Sequence, residues 1–345
     1  MDRLTITQPD DCHLHVRTGG MLKTVIGHTA SQFGRAVIMP NLKPPITTVP
    51  QAEAYRREIM RYLPAESSFQ PLMTLYLTAD TSIEEVKKVA DHAHVHAFKL
   101  YPAGATTNSE TGVADIEALY PIFAAMEEYA TPLLIHAEAT ASHYDIFDRE
   151  KIFIDKHLTA ISRQFPELRM VVEHLSTREA VQFVESANEN VAATLTPQHL
   201  MFNRNAILAG GLRPHYYCLP VLKREHHRLA LVGAATSGNP KFFLGTDSAP
   251  HLTALKENSC GCAGCYTAHA ALELYAQVFE QAKALDKLEN FASFFGAAFY
   301  RLPRNAKTMV LEKQTWSVPA RFGEPGQEIT PLMAGESIHW RATPA

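Results

Sequence analysis

Short apolar runs and helix-length amphipathic stretches alternate along nearly the whole chain. Apolar runs at 4–6 and 12–14 precede a segment, 20–32, that can be helical. The run 36–39 is followed by a helix opening after Pro50, 71–77 by one starting after Ser82, and 96–100 by a helical 115–129. The run 132–135 leads to a helix around 150–164, and 170–172, 191–195 and 242–245 supply further strands, with helices near 178–186, 222–235 and 267–282. Strand-length runs bounded by turn residues, each followed by a helical period, make about eight strand-then-helix units.

Such alternation implies parallel strands joined by right-handed crossovers, and eight of them point to a closed (β/α)8 barrel rather than an open doubly wound sheet. No G-x-G-x-x-G follows the first strand, which weakens a dinucleotide-binding alternative. The expected fold is therefore α/β: a single TIM-barrel domain spanning residues 1–345. A Pro- and Gly-richer tail, approximately 305–345, would pack on the barrel with Trp316 and Trp340 as anchors.

The barrel carries a geometric consequence. His13 and His15 follow strand one, Asn41 strand two, Lys99 strand four, His136 strand five, His174 strand six and Asp247 strand eight, so all meet at the carboxyl rim, where barrel enzymes keep their chemistry. Side chains two apart on a strand share a face, so His13 and His15 can hold one metal ion, and imidazole suits zinc and its neighbours. An isolated His-x-His pair is as readily polar surface; the company it keeps turns the pattern towards a metal centre. Lys99 has three donors and no acceptor, so read alone it is a salt-bridge partner or a clamp for a substrate carboxylate. His92, His94 and His96 lie before strand four, at the opposite face, and read as structural or solvent-facing, as do His28, His157 and His269.

Composition narrows the partners. The 345 residues are 46% hydrophobic, and no apolar run approaches the ~18–20 residues of a membrane span. The chain's start has no basic head followed by an apolar stretch, so a cytoplasmic protein is expected. A net charge of -4 offers no basic stripe for nucleic acid. Five cysteines, an odd count, fit reduced thiols better than a disulfide framework. The stretch Cys260-Gly261-Cys262-Ala263-Gly264-Cys265 has the look of a metal knuckle but lacks a fourth ligand and paired arms, and reads as a Gly-rich loop. Residues 104–112, small and polar with glycines at both ends, have the makeup of a mobile loop.

Taken in order, Asp11 to Arg17, Met39-Pro40-Asn41-Leu42-Lys43-Pro44-Pro45, Lys99 to Ser109, His136-Ala137-Glu138, Glu173-His174-Leu175-Ser176-Thr177 and Gly245 to His251 resemble the amidohydrolase superfamily. More narrowly, nearly the whole chain resembles its compact bacterial dihydroorotases. The resemblance implies two zinc ions per chain: His13 and His15 holding one with Asp247, His136 and His174 the other, and a carboxylated Lys99 bridging both with a hydroxide. It implies Asp247 as the catalytic proton shuttle. Arg17, Asn41 and His251 would hold a substrate carboxylate, Thr106 and Thr107 would form a lid, and Leu219 and Ala263 would line the substrate pocket. The implied reaction is the reversible cyclisation of N-carbamoyl-L-aspartate to L-dihydroorotate and water in pyrimidine synthesis, by a homodimer. Two rivals remain: a hydantoinase or allantoinase, sharing the metals but not the carboxylate clamp, and a non-catalytic barrel, which would have lost ligands.

Overall fold

The computed structural model describes residues 2–259 and 261–345. Strand β1 (Arg3–Thr7) is followed by β2 (Asp10–Leu14), β3 (Arg35–Ile38), β4 (Gln70–Tyr76), β5 (Val95–Leu100), β6 (Leu133–Ile135), β7 (Met170–Val172), β8 (Val191–Leu195) and β9 (Phe242–Leu244). From β2 to β9 each strand pairs in parallel with the next, giving an eight-stranded sheet in sequence order with helices between the strands. This is the expected (β/α)8 barrel. The ring is joined between its ends by the Asp247 N–H donating to the His13 carbonyl at 2.9 Å and the His15 N–H donating to the Ser248 carbonyl at 3.1 Å.

Each strand sends one residue to a shared interior layer: Cys12, Val37, Leu72, Ala97, Leu134, Val171, Ala192 and Phe243 pack together. Small residues opposite Phe243 let one large ring fill the middle, as close packing requires. Tyr300, from the segment after the helix Phe295–Phe299, closes the layer from below. Gly296 is obligatory there, since a Cβ would stand 2.5 Å from the Cys12 sulfur. The other strand faces join the helices in a second, larger core.

The sequence pattern missed two local features. The run at 4–6 is not part of the barrel: β1 pairs antiparallel with β10 (Thr308–Ser317), which pairs with β11 (Ser337–Pro344), forming a separate three-stranded sheet from both ends of the chain. The helix anticipated at 150–164 is interrupted by a wider-wound turn at Ile154–Leu158. Trp340 of β11 is fully buried, its indole N–H donating to the Glu280 carboxylate at 2.9 Å, and the Trp316 indole donates to the Trp340 carbonyl at 2.8 Å. No helix is long and apolar enough to cross a membrane among the described residues.

Glu273, on the helix Ala271–Gln281, ties this sheet to the barrel by accepting from the Ala342 N–H at 3.0 Å and from the Gln32 amide at 2.9 Å. Burial pushes its carboxyl up to about 7, against lowering by those hydrogen bonds. A carboxyl raised in the folded state makes folding favour the proton, so its stabilising contribution is full at low pH and is lost as pH rises towards 7. Denaturant titrations should therefore show Glu273→Gln gaining on the wild type between pH 5 and pH 8, by of order 1–3 kcal/mol. A pH-independent difference would refute the raised carboxyl.

Candidate metal centre

The junction of β2 with the end of β9 sets His13, His15 and Asp247 side by side. The His15 Nε2 lies 3.1 Å from Asp247 Oδ1, the His13 Nε2 3.4 Å from the same oxygen, and the two imidazole nitrogens 3.4 Å apart. All three side chains are buried. Ligands at ~2.0–2.1 Å in tetrahedral array around zinc stand roughly 3.3 Å from one another, so this triangle has the edge of one face of such a site. It is the one group of at least three His, Cys, Asp or Glu ligand atoms found close enough to hold a metal ion among the described residues.

Alternation alone does not produce this geometry. Cys12 faces the barrel interior while Leu14 packs in the outer core, although strict alternation would place both on one side. The register shift between Asp11 and Leu14 resolves the conflict and leaves His13 and His15 on the ligand side. At the other rim positions the backbone itself is turned. Arg17, His174 and Asp247 have φ of 58°, 43° and 45°, a left-handed region costing about 1–3 kcal/mol for residues other than glycine, of the kind held only where the surroundings enforce it. Gly245 leaves the necessary room, since a Cβ there would lie 2.6 Å from the Thr194 methyl.

Beneath the triangle runs a layer of buried supports. The Glu173 carboxylate lies 2.9 Å from the His13 Nδ1 and accepts from the Thr194 hydroxyl at 2.5 Å, while the His174 N–H donates to that hydroxyl oxygen at 2.7 Å. Asp11 accepts from the His13 N–H at 3.1 Å and from the Thr246 N–H and hydroxyl at 2.8 and 2.6 Å, fastening β2 to the segment carrying Asp247. A carboxylate behind a histidine fixes the ring and strengthens it as a ligand.

His136 and His174 complete the rim, their ring centroids 4.7 Å apart, with His174 5.1 Å from His13. The Glu138 carboxylate, 2.8 Å from His136 Nε2, repeats the carboxylate–histidine arrangement. Burial pushes His15 down to about 3 and His174 well below the usual range, which keeps both rings in the neutral form that ligates metals. Burial opposes the charge on Asp247, yet the His15 hydrogen bond and the neighbouring His13 bring its carboxyl down to about 2. Lys99 is fully buried, with its Nζ 5.1 Å from the Tyr101 ring centroid and no hydrogen-bond partner. Burial takes it down to about 8 against the raising charges of Glu173 and Asp247. The His174 Nδ1 and His15 Nδ1 are likewise buried without partners. Two imidazole Nε2 atoms and an ionised carboxylate oxygen within 3.4 Å of one another are the donor set a metal requires, so the residues fit one.

Above the centre opens a pocket lined by Arg17, Asn41, Thr106, Thr107, Leu219 and Ala263 together with the metal-site residues. The Arg17 Nε–H donates to the Pro250 carbonyl at 3.1 Å, its Nη2 lies 3.1 Å from the His251 Nε2, and its Nη1 is buried with no partner. That His251 nitrogen is also 3.0 Å from the Ala263 carbonyl; a neutral imidazole nitrogen either donates or accepts, so it serves one of the two. The loop 104–112 is tied internally by Ser109, whose hydroxyl accepts from the Thr106 N–H at 2.8 Å and donates to the Thr106 carbonyl at 2.6 Å. It lies shut over the pocket. The Asn41 amide donates to the Thr107 carbonyl at 3.0 Å, Asn108 donates to the Asn41 carbonyl at 2.9 Å, and the Thr107 hydroxyl donates to the Ala263 carbonyl at 3.2 Å.

Every residue singled out from the sequence thus stands at one rim, with His251 just behind Arg17. Sequence reasoning missed Asp11, Glu138 and Glu173, although each adjoins a ligand motif, because a carboxylate beside a histidine in sequence need not face it. Lys256 was missed outright. Buried, it donates to the carbonyls of Tyr217, Cys262 and Gly264 at 3.1, 2.8 and 2.6 Å and so shapes the cysteine-bearing loop that presents Ala263. Cys260, in the knuckle-like stretch, lies outside the described residues.

The amidohydrolase family model matches residues 10–307. The chain is 60% identical over 341 residues, 99% of each chain, to a dihydroorotase from Acaryochloris marina. It superposes on dihydroorotase from Saccharomyces cerevisiae in complex with 5-fluoroorotic acid with a TM-score of 0.93 and 33% identity, covering 100% of this chain and 99% of that one. Dihydroorotase from Campylobacter jejuni gives 0.91, also at 33% identity, covering 99% and 98%.

Glu173→Gln keeps the size of the side chain behind His13 but removes its charge. Chelator competition should show metal affinity falling about 10–100-fold with the melting curve still cooperative. Unchanged affinity would make Glu173 a core residue only.

Proposed function

Because this chain belongs to the amidohydrolase family, and within it to the dihydroorotases, whose reaction acts on a cyclic amide, we propose that it interconverts N-carbamoyl-L-aspartate and L-dihydroorotate at a pair of zinc ions. The observation that carries this reading is the Arg17 guanidinium, whose buried, unpartnered Nη1 stands in the pocket that holds the His13, His15 and Asp247 triangle. A metal triangle alone would serve any cyclic amide. A free guanidinium beside it suits one that also bears a carboxylate, which Arg grips through parallel N–H donors. The yeast relative holds 5-fluoroorotic acid, which carries such a carboxylate. The same feature argues against a hydantoinase-like substrate, and the complete ligand set argues against a non-catalytic barrel.

The proposed roles follow from position. His13, His15 and Asp247 would hold one ion, and His136 and His174 the other. Lys99, with an amine that titrates low enough to react with carbon dioxide, would gain the acceptor oxygens it lacks and bridge them. Zinc would polarise the amide carbonyl and make hydroxide available near neutral pH. Asp247, ionised and at the edge of the pocket, takes the proton of the attacking water and delivers it to the leaving ring nitrogen; ring closure reverses both transfers. Arg17 and His251 orient the substrate carboxylate. Asn41 joins them through the second N–H of its amide, the first being held by the Thr107 carbonyl while the lid is shut. Thr106 and Thr107 shield the reacting amide from bulk water, against a wall formed by Leu219 and Ala263. We further propose that the whole chain, tail included, acts as one unit within a cytoplasmic homodimer.

Arg17→Met removes the guanidinium and keeps the stem. Steady-state assays should show at least a roughly hundredfold loss of kcat/KM on carbamoyl-aspartate and dihydroorotate, from leaving a buried charge unpaired at about 3–5 kcal/mol, with metal content unchanged. Turnover of dihydrouracil, which lacks the carboxylate, should fall far less; an equal fall on both would make Arg17 structural.

Elemental analysis of active protein should find about two zinc ions per chain. Lys99→Arg, which keeps a charge but cannot be carboxylated, should abolish turnover and lower that content. Full activity in Lys99→Arg, or one ion per active chain, would sink the bridged pair.

A further inference from the structure

The barrel's other mouth holds a second cluster of polar atoms facing a cavity. Between the starts of β5, β6 and β7 lies a cavity of about 130 Å³ lined by His96, Thr131, Arg169 and Tyr300 among others. Each of these four carries a buried polar atom with no hydrogen-bond partner: His96 Nε2, Thr131 Oγ1, Arg169 Nε and Tyr300 Oη. Thr131 and Tyr300 are only 2% and 7% exposed. Buried polar groups need partners, and the four gathered at one cavity are groups that a polar ligand there would satisfy together.

Among the described residues, the one permanently charged side chain lining it is Arg169. The Arg169 Nη1 and Nη2 donate to the Phe299 and Ala130 carbonyls at 2.9 and 2.5 Å, which fixes the guanidinium plane and leaves Nε–H to the cavity. Arg301 adds a second positive charge nearby. Among the described residues no carboxylate lines the cavity itself, although Glu173 acts on the Tyr300 hydroxyl from farther off and Glu53 lies 3.8 Å from the His92 Nε2 at its edge. A half-buried cation without a counterion is unfavourable, and hydroxyls and an N–H converging beside it are the donors of an oxyanion site. His96 also lines an adjoining cavity of about 480 Å³ that contains Arg56, whose Nε is unpartnered too, so a larger group attached to the anion has space to extend.

We propose that the amino-terminal mouth of the barrel is a second binding site, for a small oxyanion of the phosphate type, held by Arg169, Thr131 and Tyr300 with His96 at its edge. The site sits at the foot of the strands whose upper ends carry Lys99, His136 and His174, so its ligand braces the metal-bearing strands from below without touching the reacting atoms.

Isothermal titration of the metal-loaded full-length protein with inorganic phosphate, against chloride at equal ionic strength, tests this. One binding event is expected. It should persist in Arg17→Met, which empties the upper rim of its own anion grip, and weaken at least tenfold in Thr131→Val/Tyr300→Phe. That double variant loses only hydroxyls that lack protein partners, so in phosphate-free buffer it should melt no lower than wild type. Should it melt early, Tyr300→Phe alone carries the same tenfold expectation. Ribose 5-phosphate binding more tightly than phosphate would assign the adjoining cavity to the rest of the ligand, and equal binding would assign the free anion. No heat of binding, or binding lost in Arg17→Met and kept in the hydroxyl variants, overturns the proposal.

Discussion

A sheet of parallel strands has two unsatisfied edges until its first strand meets its last, and here that meeting also builds the chemistry. Two backbone hydrogen bonds join the His13–His15 segment to Asp247 and Ser248. Asp11 reinforces them from below by accepting from both β2 and Thr246. Sealing an edge satisfies backbone donors and acceptors that would otherwise be costly to bury. The same seal presses two imidazoles and a carboxylate into a triangle with edges of 3.1 to 3.4 Å. The ligand geometry is therefore guarded by the cohesion of the whole barrel rather than by a loop.

That arrangement explains a concentration of features that would be liabilities elsewhere. Burial alone would neutralise Asp247, and it does hold Asp11 up at about 7. Left-handed backbone at His174 and Asp247, a lysine amine with no partner and orphaned ring nitrogens all lie within one small volume. Each is unfavourable in isolation, and a cation in the triangle offsets part of that cost by taking the lone pairs of the His13 and His15 Nε2 atoms and giving Asp247 a countercharge. Where metal ligation and folding draw on the same groups, support from Glu173, Glu138 and Thr194 keeps the rings aimed before the metal arrives.

The substrate side is built differently. Its wall and lid are loops held by side chains that reach across sequence: Lys256 gathers three carbonyls of the loop bearing Ala263, Ser109 knots the lid, and Asn41 latches it.

The alternation of apolar runs and helical segments determined the barrel, because parallel strands buried on both faces must be apolar and must be joined by crossovers. The same order along the chain determined which residues share the carboxyl rim, since every strand's end points one way. His13 with His15, Lys99, His136, His174 and Asp247 were all legible for that reason. The tertiary structure alone decided the rest. The register shift that turns His13 and His15 inward depends on the fit of β2 between its neighbours. The pairing of Glu173 with His13, and of Asp11 with Thr246, joins residues 160 and 235 positions apart. The union of β1 with the tail likewise brings together the two ends of the chain. A sequence records which groups are available at each strand end, but distances between strands are set by packing, and a carboxylate's partner is whichever donor that packing brings within about 3 Å.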